Sequence, residues 1–381
     1  MVTTVEHDIH RQRRNAVARF FSTASIRQLE PIIQATMSRL LERLEETAQA
    51  SSPPVPIHHI FKACTSDVIN KYAFGESFGF MERADFGKCY FDATYMFFGL
   101  NHIMIFFPCF ATLMQKTPGW FIKAIIPNLA ELVDKKSWWI DRVREIGNFP
   151  NPERIKSTIF EGILNSNLPA ADKTDARLAS EAQLVIFAGE GITALALTAA
   201  MYEILANPPV LERLKAELCT AVPDENSEVI CLHPGVMNRQ MRVPASQPVI
   251  CQDKNGSGRE YVVPAGFLVS MSPLCLYLNP DVYEDPYEFR PQRWIDNPQL
   301  GRAFLGFSRG TRSFVGMNLA HREMAIILGT LFRRYDLYHG KPGRTLELYD
   351  TERARDFDAN FDMIIPVPAK GSKGVRIRVR N

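Results

Sequence analysis

One ten-residue stretch constrains this chain more than any other: residues 307–316, with the sequence FSRGTRSFVG. Phe307 opens it as an apolar anchor, and Gly310 and Gly316 allow the backbone to pass close to another group. Arg312 carries a rigid fork of donors that matches a carboxylate. A helical pattern begins directly afterwards. The stretch therefore predicts a cradle for a flat group that bears a carboxylate.

The stretch closely resembles the heme-binding loop of the cytochrome P450 family, the heme-thiolate monooxygenases. That loop reads Phe, small residue, any, Gly, any, Arg, any, Cys, apolar residue, Gly. Every one of these positions is matched except the cysteine that ligates the heme iron, where this chain has Phe314. The resemblance implies that Phe307, Gly310, Arg312 and Gly316 contact the cofactor. It also implies that the chain has no metal ligand at the axial position.

The composition is that of an ordinary globular protein and excludes several classes. Hydrophobic residues make up 46% and charged residues 23% of the 381 positions, which is enough apolar material for a sizeable core. The net charge is only +2, so no nucleic-acid partner is predicted. The seven cysteines are scattered without C-x-x-C spacing, which is typical of reduced thiols in a protein that faces the cytosol.

The first helical pattern, residues 6–20, places His10 and Arg14 four positions apart and therefore on one face. Taken alone, this is a solvated basic face. The segment also resembles the family's helix that carries an aromatic residue or histidine and an arginine toward a heme propionate, and FFSTASIRQLEPII follows it as in related fungal enzymes. The resemblance implies that His10 and Arg14 bind the cofactor. It also implies that the family's membrane anchor, first strands and first helices are absent.

No signal peptide or transmembrane helix is predicted at the start, because residues 1–20 are charged and rich in histidine. Residues 88–147 are rich in Phe, Met and Trp, and the resemblance implies that they roof a substrate pocket. Four of their aromatic residues suit an apolar pocket, a membrane surface or plain core packing: Phe97, Phe98, Phe106 and Phe107. A location on the cytoplasmic side is expected, with peripheral contact at the endoplasmic reticulum left open.

The longest helical pattern covers residues 178–207 and has glycine near its middle, which costs about 1 kcal/mol relative to alanine. The family's long central helix has Ala-Gly-any-acid-Thr-Thr here, and the acid and first threonine feed protons to bound dioxygen. In this chain the acid, Glu190, stands one place early, and Ile192 replaces the first threonine. The resemblance implies that Gly189 faces the cofactor and that Glu190 and Thr193 are a degenerate proton relay.

The resemblance is interrupted between Pro223 and Pro234, where only ten residues lie. The family has two helices here, and the second carries Glu-any-any-Arg. Ten residues are too few for two helices of ordinary length. Glu228 can be set against the family's glutamate, but the arginine place is then Cys231. The resemblance therefore implies that Arg293, in the family's Phe-any-Pro-any-Arg-Trp segment, lacks its usual partners.

The resemblance resumes at Leu232, and Arg242 falls on the family's propionate-binding arginine. Residues 261–269 predict a hairpin with a proline-containing turn. The fold class implied is mostly α with small β-sheets: the cytochrome P450 fold, truncated at its N-terminus and without the region of the Glu-x-x-Arg helix. A single domain is expected over 1–381. Its first part, 1–220, is mainly helical, and 232–381 forms the β-containing half with the heme loop.

By resemblance, the chain oxidises a small apolar metabolite, such as a terpenoid or polyketide, with heme, dioxygen and electrons from an NADPH-dependent reductase. Thiolate ligation donates the electron density that favours O–O cleavage, and phenylalanine has no lone pair to donate. The expectation is therefore a catalytically impaired enzyme. His10, Arg14, Arg242 and Arg312 leave weak heme binding open. Two alternatives stand beside this one: a non-redox scaffold that binds small molecules, and a mis-spliced or pseudogene product of an active monooxygenase.

Overall fold

The structure is a computed structural model that describes residues 4, 6–48, 53–148, 158–218, 240–244, 246–252 and 258–381. Its longer helices follow the predicted patterns, with ends that differ by a few residues. The α-helices of the described part are α1 (His7–Ala18), α2 (Thr23–Glu46), α3 (Ile57–Phe74), α4 (Lys88–Gly99), α5 (Asn101–Phe106), α6 (Pro108–Lys116), α7 (Gly119–Ile125), α8 (Ala130–Asn148), α9 (Ile159–Leu164), α10 (Asp175–Ala206), α11 (Pro208–Leu218), α12 (Pro273–Tyr277), α13 (Gln292–Asp296) and α14 (Met317–Arg334).

The strands are short and form four small sheets in the described part. They are β1 (Val55–Pro56), β2 (Gln240–Arg242), β3 (Val249–Gln252), β4 (Glu260–Val263), β5 (Val269–Met271), β6 (Asp336–Leu337), β7 (Thr345–Leu348), β8 (Phe361–Met363), β9 (Ile365–Val367) and β10 (Arg376–Arg380). One sheet has the order β1-β10-β7-β6, and the other three are the antiparallel pairs β2-β5, β3-β4 and β8-β9. The predicted fold class, mostly α with small sheets, is confirmed.

One predicted strand pairing is wrong. The segment 261–269 does not form a hairpin, because β4 pairs with β3 and β5 pairs with β2. The turn between the strands is present, and Gly266 adopts φ +87 there, a backbone conformation that glycine tolerates best. The Gly266 amide donates to the Pro244 carbonyl oxygen at 2.8 Å, which connects the turn to the segment that follows β2. Strand partners outside this segment, β3 and β2, override the local hairpin signal.

The centre of the molecule is the packing of α10 on α3. In α3, 15 of 18 residues are buried, so the helix is enclosed on nearly all sides, as expected for a helix that is not amphipathic. Among the described helices, α10 is the one long and apolar enough to cross a membrane, but 67% of its apolar window is buried inside the protein. The sequence places α10 in the core because its apolar residues surround the helix rather than forming one stripe.

The aromatic residues of residues 88–147 fall into two groups. Tyr90 and Trp139 are fully buried in the core next to α10. Phe106 and Phe107 are 75% and 60% exposed, so core packing is the wrong alternative for these two. Exposed apolar residues continue along α6 and α7, and they are Leu113, Trp120, Phe121 and Ile125.

Candidate functional site

A cavity of about 200 Å³ lies between α1, α3, α10 and the loop that leads into α14. Its walls are mostly aliphatic and aromatic, with basic groups from α1 and the loop. Seven of the residues singled out in the sequence line it: His10, Arg14, Gly189, Thr193, Arg312, Phe314 and Gly316. The structure therefore brings together residues that are more than 300 positions apart in the chain.

The loop residues 307–316 form a tight turn whose apolar side chains pack on one another. The Phe314 amide donates to the Phe307 carbonyl oxygen at 2.8 Å, and the two rings are nearly parallel with centroids 6.1 Å apart. Gly310 adopts φ +74, as a glycine can. A Cβ at Gly316 would lie 3.1 Å from the Phe314 ring. The absence of a side chain at Gly316 therefore leaves room for the Phe314 ring at the edge of the cavity.

The Phe307 ring lies behind that of Phe314 and 4.8 Å from the imidazole of His321. Phe307 and Gly310 do not line the cavity themselves. Their contribution is to the loop conformation. The phenyl group of Phe314, which the sequence sets at the axial-ligand position, is among the cavity walls.

Basic side chains converge on one end of the cavity. Arg14 donates to the Ser313 carbonyl oxygen at 2.6 Å and to its hydroxyl oxygen at 3.2 Å, and Arg312 donates to the Thr4 carbonyl oxygen at 2.7 Å. His10 is only 4% exposed, and its pKa is lowered by burial and by the nearby charges of Arg312 and Arg14. Burial also lowers the pKa of Arg14. Burial and the neighbouring arginines therefore disfavour the cationic form of His10, and burial disfavours the cationic form of Arg14.

Arg242 does not line the cavity and contacts the loop from its outer side. Its guanidinium donates to the Ser308 hydroxyl oxygen at 2.9 Å and to the Arg309 carbonyl oxygen at 3.4 Å. Ser308 in turn donates to the Gln240 side-chain oxygen at 2.8 Å. In this structure Arg242 therefore links β2 to the loop. Its contact with a propionate stays a prediction.

Glu190 turns away from the cavity and toward α3 and α4. The Ser66 hydroxyl donates to its carboxylate at 2.8 Å, and the Tyr90 hydroxyl donates to it at 3.2 Å. Thr65 donates to the Glu190 backbone carbonyl oxygen at 2.9 Å. Burial raises the pKa of Glu190 to about 7, although these hydrogen bonds and the charge of Lys62 lower it. Thr193 lines the cavity instead, and no described hydrogen bond joins it to Glu190.

Gly189 has a packing role that its sequence context did not reveal. A Cβ at this position would lie 2.7 Å from a side-chain carbon of Ile69, so the glycine lets α10 approach α3 closely. Gly189 also lines the cavity. Ser66 and Tyr90 are the hydrogen-bond partners of the Glu190 carboxyl group. Sequence reasoning missed both, because neither residue belongs to a recognisable motif.

The segment predicted to lack the Glu-x-x-Arg helix, including Glu228 and Cys231, lies outside the described residues. Arg293, which would meet that motif in the family, is described. Its guanidinium donates to the backbone carbonyl oxygens of Asp285 at 3.2 Å and Glu288 at 2.9 Å. These contacts hold the loop between α12 and α13.

Comparison with known proteins gives the same family. The model of the cytochrome P450 family matches residues 1–349. A cytochrome P450 monooxygenase of Cochliobolus heterostrophus, tpcC, is 32% identical over 100% of this chain and 76% of its own length. A tryptophan 6-hydroxylase of Fusarium equiseti, fscE, is 32% identical over 99% of this chain and 75% of its own. This chain belongs to the cytochrome P450 family.

A further relative indicates the chemistry of the group. The fusicoccadiene C-8 hydroxylase of Phomopsis amygdali is 29% identical over 99% of this chain and 75% of its own length. These relatives are fungal monooxygenases and hydroxylases. The chain is therefore similar throughout its length to enzymes of fungal secondary metabolism.

The family implies heme, and the residues of the cavity fit only part of that group. The basic cluster of His10, Arg14 and Arg312 suits the carboxylates of a porphyrin. Nothing at the loop suits its iron, because the Phe314 ring has no lone pair. Within the described residues, no group of three or more His, Cys, Asp or Glu side chains is placed to hold a metal ion. The site thus fits a carboxylate and does not fit a thiolate-ligated iron.

Proposed function

We propose that this protein is a catalytically impaired member of the P450 monooxygenase lineage, whose ancestral substrates are small apolar metabolites of the terpenoid or polyketide type. The observation that carries the proposal is Phe314, an aromatic hydrocarbon at the position of the family's iron ligand. In the family, the thiolate-bound heme supplies the activation of dioxygen. A side chain without a donor atom cannot supply that electron density. Active members of the lineage receive electrons from an NADPH-dependent reductase. This protein is expected to have such a partner only if the protein itself is an active monooxygenase.

The proton-relay positions support the same proposal. A relay needs an acid or hydroxyl within hydrogen-bond reach of the cavity, directly or through one water. The described hydrogen bonds of the Glu190 carboxyl group lie on the side of α3 and α4. Thr193 is therefore the polar side chain that α10 presents to the cavity. The change at position 314 and the displaced acid both act against oxygen activation.

The domain and localisation proposals follow from packing. One buried apolar cluster includes residues from Val17 to Val379, which supports a single domain. The exposed apolar residues of α5 to α7, among them Phe106 and Trp120, support peripheral contact of this surface with the membrane of the endoplasmic reticulum, on its cytoplasmic side.

Reconstitution tests the proposal directly. Purified protein incubated with heme, a fungal P450 reductase, NADPH and terpene hydrocarbons is expected to form no oxidised product above the level without protein. The Phe314→Cys variant is also expected to stay at background, because the ten residues between Pro223 and Pro234 are too few for the family's helix with Glu-any-any-Arg and the helix before it. Product analysis by mass spectrometry measures both.

The fusicoccadiene C-8 hydroxylase of Phomopsis amygdali, assayed with fusicoccadiene, serves as the positive control for the reductase system. Turnover by the unaltered protein would contradict the proposal. Turnover by Phe314→Cys alone would show that the missing motif matters less than the missing sulfur. Sequencing the transcript across residues 220–235 addresses the remaining alternative, since a longer exon there would mark this chain as a mis-spliced product.

The second candidate is a non-redox protein that uses the same scaffold to bind small molecules. The cavity favours it, because its apolar walls and its basic end are formed by described side chains that do not depend on a bound metal ion. Saturable binding of an apolar ligand in the absence of iron supports this candidate, whereas an insoluble protein that binds nothing opposes it.

A further inference from the structure

Arg14 brings a positive charge to the cavity that no described carboxylate neutralises. Among the described residues, its guanidinium donates to the carbonyl and hydroxyl oxygens of Ser313, and no described Asp or Glu oxygen lies within 4.0 Å of it. The side chain is half-buried, and burial lowers its pKa. A buried cation without an anionic partner is costly, so an arginine in this setting normally has one.

Two other half-buried arginines of this protein have a carboxylate partner. Arg13, next to Arg14 on α1, donates to the Asp172 carboxylate at 3.1 Å, and its side chain is 23% exposed. Arg177 pairs with Glu181 at 2.7 Å and is 24% exposed. Arg14 differs from both in facing the cavity. Its missing partner is therefore an anionic group that enters the cavity with a ligand.

The geometry of the donors indicates which anion. The guanidinium of Arg14 has five N–H donors, and two of its nitrogens already contact Ser313, so the remaining donors suit a planar acceptor. Arg312 and His10 line the same end of the cavity. Because burial and the two arginines lower the pKa of His10, it is a neutral donor or acceptor at pH 7. A single carboxylate matches this set.

The other walls define the rest of the ligand. They are formed by apolar side chains of α3, α10 and α14, among them Ile69, Leu184, Val185 and Leu319. The cavity volume, about 200 Å³, is below the ~300–1,000 Å³ that is usual for ligand pockets. The ligand is therefore a small hydrocarbon body with an acid group at one end.

We propose that this cavity binds small apolar carboxylic acids through Arg14, and that no metal ion contributes to the affinity. The proposal rests on the proposed function, since it requires that Phe314 leaves the site without an iron ligand. It goes further by naming the ligand class and the residue that selects it.

Calorimetric titration in buffer with EDTA tests the proposal with three probes that share one alkyl chain. Octanoic acid is expected to bind about tenfold to a hundredfold more tightly than octanol, because it adds charge-assisted hydrogen bonds to the same apolar contact. Octyl phosphate separates a carboxylate site from a general anion site. It is expected to bind no more tightly than the acid.

Two variants of α1 assign the effect to one side chain. Arg14→Gln is expected to weaken the binding of octanoic acid at least tenfold and to leave the affinity for octanol within about twofold. Arg11→Gln is the matched control, because Arg11 is on the same helix, has a side chain that is 68% exposed and pairs with Asp8. It is expected to bind all three probes as the unaltered protein does.

Three outcomes would overturn the proposal: equal affinity for acid and alcohol, a preference for the phosphate of more than tenfold, or equal loss of acid and alcohol in Arg14→Gln. A requirement for added heme before any acid binds would overturn it as well. These outcomes leave the proposed function untouched, which fails only if the protein shows monooxygenase turnover or a thiolate-type iron spectrum.

Discussion

Replacing Trp139 by alanine is expected to lower the free energy of unfolding by about 3–5 kcal/mol, because it removes a fully buried indole from the core. Trp139 lies on α8, and its ring contacts Phe78 and Phe187 with centroids 6.3 and 6.1 Å away. Phe187 belongs to α10, so the substitution opens a void beside the central helix. Urea unfolding followed by circular dichroism measures the effect.

Trp120→Ala is the matched control. Trp120 lies on α7 and is 71% exposed, so its removal is expected to change the free energy of unfolding by less than about 0.5 kcal/mol. A similar, small effect of both substitutions would mean that the helices of this chain do not pack as a specific core. That result would also remove the basis for a binding scaffold.

Replacing Glu190 by glutamine is expected to make the protein more stable at pH 8 by up to about 3 kcal/mol, with little change at pH 4. The reason is that burial raises the pKa of Glu190 from 4.5 to about 7. Between these two values the folded protein holds a proton that the unfolded chain releases. Stability from this group therefore falls as the pH rises from about 4.5 to 7, and glutamine, which stays neutral, does not suffer the loss.

The measurement is a series of urea unfolding curves from pH 4 to pH 8 for both proteins. Taking the difference between them cancels the other groups that titrate in the fold, such as His59, whose pKa burial lowers to about 4. Glutamine can still hydrogen-bond Ser66 and Tyr90. Glu212→Gln on α11, an exposed position, is expected to follow the unaltered protein throughout. Parallel pH profiles for Glu190→Gln and the unaltered protein would contradict the assignment.

The parts of the fold that were predictable are those with strong local signals. The glycine and arginine pattern of residues 307–316 and the long apolar run of α10 indicated both the family and the central helix. The spacing of His10 and Arg14 predicted that the two share one face, and both line the cavity. These signals depend on neighbours in the sequence, which is why a single chain is enough to find them.

The parts that were not predictable depend on partners outside the local segment of sequence. The hairpin expected at 261–269 failed because β3 and β2 compete for its two strands. The direction of Glu190 was missed for a different reason. Moving an acid by one position on a helix rotates it by about 100°, which turned this carboxyl from the cavity side to α3. The carboxyl group is stabilised in that buried place by hydrogen bonds from Ser66 and Tyr90, which lie about a hundred positions away in the sequence.

The ferrous-carbonyl spectrum tests the central claim most directly, because the position of its main band depends on the atom that holds the iron. Protein incubated with heme, reduced with dithionite and exposed to carbon monoxide is expected to show no band of the thiolate-ligated type. The relative from Phomopsis amygdali, treated in the same way, provides the reference band. A thiolate-type band from this protein would contradict the account, because a sulfur atom would then hold the iron although Phe314 occupies the position of the family's ligand.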